Sequence, residues 1–177
     1  MRQFGLIGFP LGHSFSKKYF SEKFKNENID ARYDLYELSN ISEFPNLRNS
    51  VELSGLNVTI PYKEQIIPLL DKLDDTAASI GAVNVIRFDY DNNGKATLTG
   101  FNTDAIGFEN SLKPFLKPHH KKALILGTGG ASKAILYTLQ QLGIECSYVS
   151  RITREGQLTY SDLNEEVVND NLLSVNG

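Results

Sequence analysis

Three stretches of the chain put hydroxyl, amide and ionisable side chains where strands end and helices begin. The first is Gly8-Phe9-Pro10-Leu11-Gly12-His13-Ser14-Phe15-Ser16. It follows a short apolar run, and ligands of α/β sheets bind beyond the carboxyl ends of strands. Ser14 and Ser16, two residues apart, could both donate to one carboxylate or hydroxyl, or could simply cap the helix that follows. The second is Asn57-Val58-Thr59-Ile60-Pro61-Tyr62-Lys63. Thr59 lies at a strand end, and Pro61 predicts a helix over 62–70 with Lys63 in its first turn. An ammonium there meets the unfavourable end of the helix dipole. That lowers its pKa toward what a proton donor or acceptor at neutral pH requires; the alternative is an ordinary exposed lysine. The third pairs Gly81-Ala82-Val83-Asn84 with Gly100-Phe101-Asn102-Thr103-Asp104. Asn84 opens a strand, Thr103 or Asn102 caps a helix, and Asp104 is either a ligand-facing carboxylate or a plain first-turn acid.

A fourth stretch, Gly127-Thr128-Gly129-Gly130-Ala131-Ser132, lies between an apolar strand and a helix over 131–142. That is the setting a dinucleotide loop requires. Gly127 permits the tight turn, and Gly129 and Gly130 let backbone N–H groups approach a pyrophosphate. The helix from Ala131 supplies unpaired donors and a positive end. Ser132 stands where the third glycine of the fingerprint is usual, and without a ligand the segment is only a glycine-rich turn. The next strand ends at Ser150-Arg151, with Arg154 close by. NAD enzymes place an acidic residue about 20 residues on for the ribose hydroxyls. A guanidinium instead holds a 2′-phosphate bidentately, so NADP is the expected cofactor, unless Arg151 is a solvated loop cation.

The elements that must position these residues read as α/β. Strands are predicted over 3–9, 32–38, 53–58, 83–90 and 95–99. Helices fall near 16–29, 41–47, 62–70 and 74–80, and Asp91-Asn92-Asn93-Gly94 is a hairpin turn signal. Strand–helix alternation implies a parallel sheet with some antiparallel edge. Further on, a single helix is predicted over 103–116 and a charged connector over 117–122. Strands follow over 123–126 and 146–149, with a helix over 161–169 and a third strand over 172–175. Two domains are expected, residues 1–102 and 103–177.

Composition bounds the function classes. The 177 residues are 41% hydrophobic and 22% charged, with a net charge of −3. The first hundred carry 11 basic and 13 acidic side chains, the rest 7 and 8. Neither half is a basic surface for nucleic acid or an acidic tail, and the apolar content excludes disorder. One cysteine, Cys146, excludes an internal disulfide framework and reads as a small strand residue. The N-terminal apolar run is too short for a signal peptide, no run reaches the roughly 18 residues of a membrane span, and no metal cluster is apparent. A cytoplasmic protein is expected.

Taken together, five motifs in register resemble the shikimate dehydrogenase family: Gly-x-Pro-x-x-His-Ser-x-Ser at 8–16, Asn-Val-Thr-x-Pro-x-Lys at 57–63, Gly-Ala-Val-Asn at 81–84, Gly-x-Asn-Thr-Asp-x-x-Gly at 100–107, and the glycine loop with Arg151. The resemblance implies a substrate-binding α/β domain followed by a Rossmann-like NADP-binding domain of which the first half is present. It implies reduction of 3-dehydroshikimate to shikimate with NADPH, in the pathway to chorismate and aromatic amino acids. Lys63 and Asp104 would be the catalytic pair, and Ser14, Ser16, Thr59, Lys63, Asn84 and Asp104 would bind substrate. The serines would face its carboxylate, and Asn84 and Asp104 its ring hydroxyls. Two other readings stand beside this one: a quinate/shikimate dehydrogenase using NAD, and a non-catalytic domain that holds shikimate-like acids.

The sequence departs from the family pattern in three places. Lys17 replaces a proline, Ser150-Arg151-Ile152-Thr153 replaces Asn-Arg-Thr, and the family continues well past the strand over 172–175. In a sheet of order 3-2-1-4-5-6, the strand over 123–126 would then lack a partner on one side. A second copy of the chain would cover it, making a homodimer, or further sequence would.

Overall fold

The computed structural model describes residues 1–12, 14–152, 155–170 and 173–176. The chain divides into two compact units, Met1–Asn102 and Thr103–Gly177.

In the first unit, β1 (Arg2–Gly8) is an inner strand of a six-stranded sheet, next to one edge, and is followed by α1 (Phe15–Asn26). Its last four residues are all buried, as expected for a parallel strand covered on both faces. β2 (Ala31–Glu37) pairs parallel with it on one side. A short 3-10 turn then leads into α2 (Phe44–Ser50), and β3 (Gly55–Val58) pairs parallel with β1 on the other side. After β4 (Lys72–Leu73) and α3 (Asp75–Ile80), β5 (Val85–Tyr90) and β6 (Ala96–Phe101) form an antiparallel hairpin. The sheet order is β2-β1-β3-β5-β6-β4. One apolar cluster holds Ile7, Phe44, Leu53, Ile66, Val83, Ile86 and Leu98. A second cluster joins Leu6, Leu11 and Tyr33 to Phe20 and Phe24 of α1.

The helix expected over 62–70 is absent. The segment is a run of turns with one 3-10 turn, Ile67–Leu69. A helix would send the Ile67 N–H to the Lys63 carbonyl. Instead that carbonyl accepts from Val83 at 2.7 Å, and Ile67 turns to Glu64 at 3.2 Å. Pro68 carries no N–H and disfavours a helical conformation at Ile67. The dipole argument for Lys63 falls with the helix.

The second unit begins with α4 (Asp104–Leu112), shorter than the helix expected over 103–116. Pro114 lies in a 3-10 turn, Lys113–Phe115, that ends it. β7 (Lys122–Leu126), α5 (Gly130–Gln141) and β8 (Glu145–Ser150) follow, then β9 (Leu158–Thr159), α6 (Glu165–Asp170) and β10 (Leu173–Asn176). The expected helix over 161–169 is thus a 3-10 turn, Tyr160–Asp162, followed by α6. The sheet is all parallel, in the order β10-β7-β8-β9.

This order corrects the expectation of an open β7. The strand predicted as third is fourth in the sheet: β10 pairs with β7 from Leu173↔Ala123 to Asn176↔Leu126. The third place belongs to the two-residue β9. β7 therefore has partners on both sides, and the case for a second copy covering it is removed. Among the described residues, no helix is long and apolar enough to cross a membrane.

Candidate functional site

In the first unit, the ends of β1 and β3 build one cleft. Leu6, Pro10, Leu11, Gly12, Ser14, Ser16 and Thr59 line a cavity of about 500 Å³. Among the described residues, its lining joins the apolar Leu6, Pro10 and Leu11 to Ser14, Ser16 and Thr59, the three hydroxyl-bearing residues singled out from the sequence. Backbone hydrogen bonds fix the rim: Thr59 donates to Ile7 at 2.9 Å, Phe9 to Ile60 at 3.0 Å and Ser14 to Leu11 at 3.0 Å. Gly8 permits the close approach, because a Cβ there would overlap Thr59 Cγ2 and lie 2.8 Å from Leu11 Cδ2.

The capping alternative for Ser14 is not what the structure shows. Ser14 occupies the N-cap of α1, but its side chain makes no cap hydrogen bond. Ser16 is the second residue of α1. Tyr33 donates to Asn57 Oδ1 at 2.8 Å and stacks on Phe20, with ring centroids 4.6 Å apart. Burial pushes the Tyr33 phenol up to about 12.

Lys63 and Asn84 are stitched to neighbouring strand ends. The Lys63 carbonyl accepts from Val83, Asn84 N–H donates to Phe101 at 3.0 Å, and its carbonyl accepts from Val58 at 2.8 Å. Asn84 is buried and Lys63 half-buried. Gly81, with φ of 68° at the C-cap of α3, turns the chain into this segment; a left-handed cap there favours glycine. Asn102 is buried and donates to the Ala82 carbonyl at 2.9 Å, so it ties β6 to the same segment.

The second unit carries Asp104 and the glycine loop. Asp104 is half-buried in the first turn of α4. Thr103 occupies the N-cap of α4, the place expected of it or of Asn102, but its side chain makes no cap hydrogen bond. Gly127 has φ of 120°, a conformation that favours glycine. At Gly129 a Cβ would meet nothing within 4 Å, so the space before the loop is open. Helix α5 opens at Gly130 and Ala131, with Gly129 as its N-cap. Ser132 is fully buried, and its hydroxyl donates to the Gly129 carbonyl at 2.6 Å. The serine thus braces the loop where the fingerprint usually has its third glycine. Ser150 is buried at the end of β8, where its Oγ accepts from Ile152 N–H at 3.2 Å. Arg151 is exposed beside it, and Arg154 lies outside the described residues. An open glycine turn on a helix N-terminus, with an exposed guanidinium after the next strand, fits a phosphorylated dinucleotide.

Sequence reasoning missed the hydrogen bond from Tyr33 to Asn57, although Tyr33 packs in one cluster with Leu6 and Leu11 of the cleft. Asn57 carried a signal, a polar residue inside an otherwise apolar strand. Tyr33 carried none, since an aromatic residue in an alternating strand is ordinary.

Residues 6–86 match the shikimate dehydrogenase substrate binding domain, and most of the chain is similar to shikimate dehydrogenases. The shikimate dehydrogenase (NADP(+)) of Aquifex aeolicus is 38% identical over 169 residues, covering 94% of this chain and 61% of the relative. That of Oceanobacillus iheyensis is 42% identical over 146 residues, covering 78% and 51%. The crystal structure of shikimate dehydrogenase 1 from Peptoclostridium difficile superposes with a TM-score of 0.80 at 36% identity, covering 92% of this chain and 62% of that one. The Thermus thermophilus enzyme, solved with NADP(H) and shikimate, gives 0.75 at 29% identity, covering 99% and 63%. The chain spans about half to three-fifths of the length of the curated relatives it matches.

Proposed function

We propose that this chain supplies the substrate-binding domain, residues 1–102, and the opening of the NADP-binding domain, residues 103–177, of an enzyme that interconverts 3-dehydroshikimate and shikimate. The observation that carries the reading is the cleft at the ends of β1 and β3, where Ser14, Ser16 and Thr59 face one cavity. Three hydroxyls over an apolar floor suit a small cyclic acid: the serines donate to the carboxylate, and the aliphatic side chains take the ring. Asn84 and Asp104 bind ring hydroxyls.

NADPH, when bound, supplies the hydride. Gly127, Gly129, Gly130 and Ala131 would hold its pyrophosphate, and Ser150, Arg151 and Arg154 its 2′-phosphate. As the ketone is reduced, negative charge develops on its oxygen, and a positioned cation or acid there lowers the barrier. Lys63 stabilises that charge and delivers the proton. By the family resemblance, Asp104 would be the second member of the catalytic pair with Lys63.

The test is titration of the chain with shikimate, followed by calorimetry or amide chemical shifts. Binding should weaken about tenfold or more in Ser14→Ala and in Ser16→Ala, as for a hydrogen bond to a charged group. Unchanged binding in both would refute the site. An assay of turnover with NADP and with NAD, with quinate as competitor, separates the NAD-dependent quinate reading and the non-catalytic reading from this one.

A further inference from the structure

We propose that Leu11 is a specificity-determining residue: its side chain, in the lining beside the two serines, selects cyclic acids whose carboxylate-bearing carbon has no hydroxyl. The inference rests on the reading of Ser14 and Ser16 as carboxylate donors and adds what the wall next to them accepts.

Leu11 lines the same cavity as Ser14, Ser16 and Thr59. It is 4% exposed, whereas its neighbours Pro10 and Gly12 are exposed. Its carbonyl accepts from the Ser14 N–H at 3.0 Å, which closes the turn that delivers Ser14. Its side chain packs in one cluster with Leu6 and Tyr33, with Phe20 and Phe24 of α1 against them. Toward β1 it reaches Gly8, where Leu11 Cδ2 lies 2.8 Å from the point a Cβ would occupy. The isobutyl group thus stands in the cavity wall with apolar neighbours behind it.

A carboxylate offers acceptors only, so it goes to the hydroxyls of Ser14 and Ser16. The ring carbon that carries it is one bond away. That carbon then lies against the buried apolar side chains that share the lining, Leu6 and Leu11. Of these, Leu11 is the one tied to the Ser14 turn. In shikimate the carbon belongs to the ring double bond and carries no hydroxyl. In quinate it is tetrahedral and carries one. Against Leu11 that hydroxyl gives up hydrogen bonds to water and regains none from the side chain. Nearby backbone donors are committed: the N–H groups of Phe9, Ser14 and Thr59 go to Ile60, Leu11 and Ile7, and Pro10 has none. The serine hydroxyls are taken by the carboxylate. Quinate should therefore bind about ten- to a hundredfold more weakly than shikimate, the range an apolar pocket reaches against an added hydroxyl.

The experiment titrates three acids into the whole chain by calorimetry. They are shikimate, quinate and the 1-deoxy analogue of quinate, in which hydrogen replaces the hydroxyl on the tetrahedral carbon. The analogue should bind close to shikimate, with quinate well below both. If the analogue binds as weakly as quinate, the cleft selects ring shape and not the hydroxyl, and the proposal is overturned. Equal binding of quinate and shikimate overturns it as well. Leu11→Asn puts an amide of similar size in the wall and should bring quinate to within about threefold of shikimate. Leu11→Met, apolar and of similar volume, should keep the gap. A gap unaltered in folded Leu11→Asn refutes the role of Leu11. Should that variant not fold, Leu11→Thr supplies a hydroxyl on a smaller side chain, and the same narrowing is required. Failure of the underlying reading is told apart by the serines: shikimate binding unchanged in both Ser14→Ala and Ser16→Ala removes the carboxylate site, and this inference with it, whatever Leu11 does.

Discussion

Gly8→Ala is the sharpest probe of how the cleft is built. Gly8 ends β1, and three hydrogen bonds hold its surroundings. Leu38 donates to the Gly8 carbonyl at 3.2 Å, Thr59 to Ile7 at 2.9 Å and Phe9 to Ile60 at 3.0 Å. A Cβ at Gly8 would overlap Thr59 Cγ2, and would lie 2.8 Å from Leu11 Cδ2 and 3.0 Å from the Ile60 carbonyl oxygen. Leu11 can swing aside, but Thr59 is β-branched and stiff at χ1, and its backbone is pinned to β1. The added methyl therefore acts as overpacking, at about 1–3 kcal/mol. That is a substantial part of a typical stability of about 5–15 kcal/mol. The same displacement moves the Thr59 hydroxyl, so ligand affinity falls along with stability. Urea unfolding and shikimate titration measure both. Gly12→Ala is the control: it lies in the same cleft, yet a Cβ there would meet nothing within 4 Å, so its unfolding free energy should change little. Equal stability of the two variants would refute the packing argument.

Further consequences can be measured on the same material. Tyr33 is held near 12, above its ordinary 10.0, and Cys146 near 11, above 9.0, both chiefly by burial. The fold thus favours their neutral forms. That stabilisation is complete below pH 9 to 10 and is lost as pH rises to 11 and 12, by about 1–2 kcal/mol for each group after allowing for solvent screening. Urea unfolding across this range should show the loss, and Tyr33→Phe should flatten its upper part. An unfolding free energy independent of pH up to 12 would contradict the burial argument. In a catalytically competent protein carrying this sequence, Lys63→Ala should lower turnover by about 10²–10⁴-fold with a smaller effect on substrate affinity; unaltered turnover would remove Lys63 from the chemistry. Arg151→Ala should weaken NADP binding by about 1.5–3 kcal/mol and leave NAD nearly unaffected, whereas equal losses would show that it does not read the 2′-phosphate.

Much of the first site is local in sequence, which is why it was legible. Ser14, Ser16 and Thr59 each follow a strand within eight residues, and a parallel sheet brings the ends of β1 and β3 side by side. Period-two and continuous apolar runs marked β1, β2 and the β5–β6 hairpin for the same reason. The segment over 62–70 misled because Pro61 resembles a helix start. Its outcome was decided by the Val83 N–H, twenty residues away, which takes the Lys63 carbonyl a helix would have used. Tyr33 and Asn57 were invisible as a pair because their contact crosses β1, a relation that only the strand order supplies.

The second sheet shows how a small omission changes a functional inference. β9 is two residues long, too short for any periodicity, so chain order alone left the last strand as third. Once β9 takes that place beside β8, β10 crosses to the far side of β7. Chain direction then diverges at β7, with β8 on one side and β10 on the other. That divergence is the switch point of a doubly wound sheet, where the loops after adjacent strands part and leave a crevice. The loop that leaves β7 there is Gly127–Gly129, with its open approach at Gly129 and the N-terminus of α5 behind it. Covering β7 with the chain's own last strand thus removes the argument for a second copy. It also strengthens the reading of the glycine loop, since the strand that closes the edge is the strand that creates the crevice.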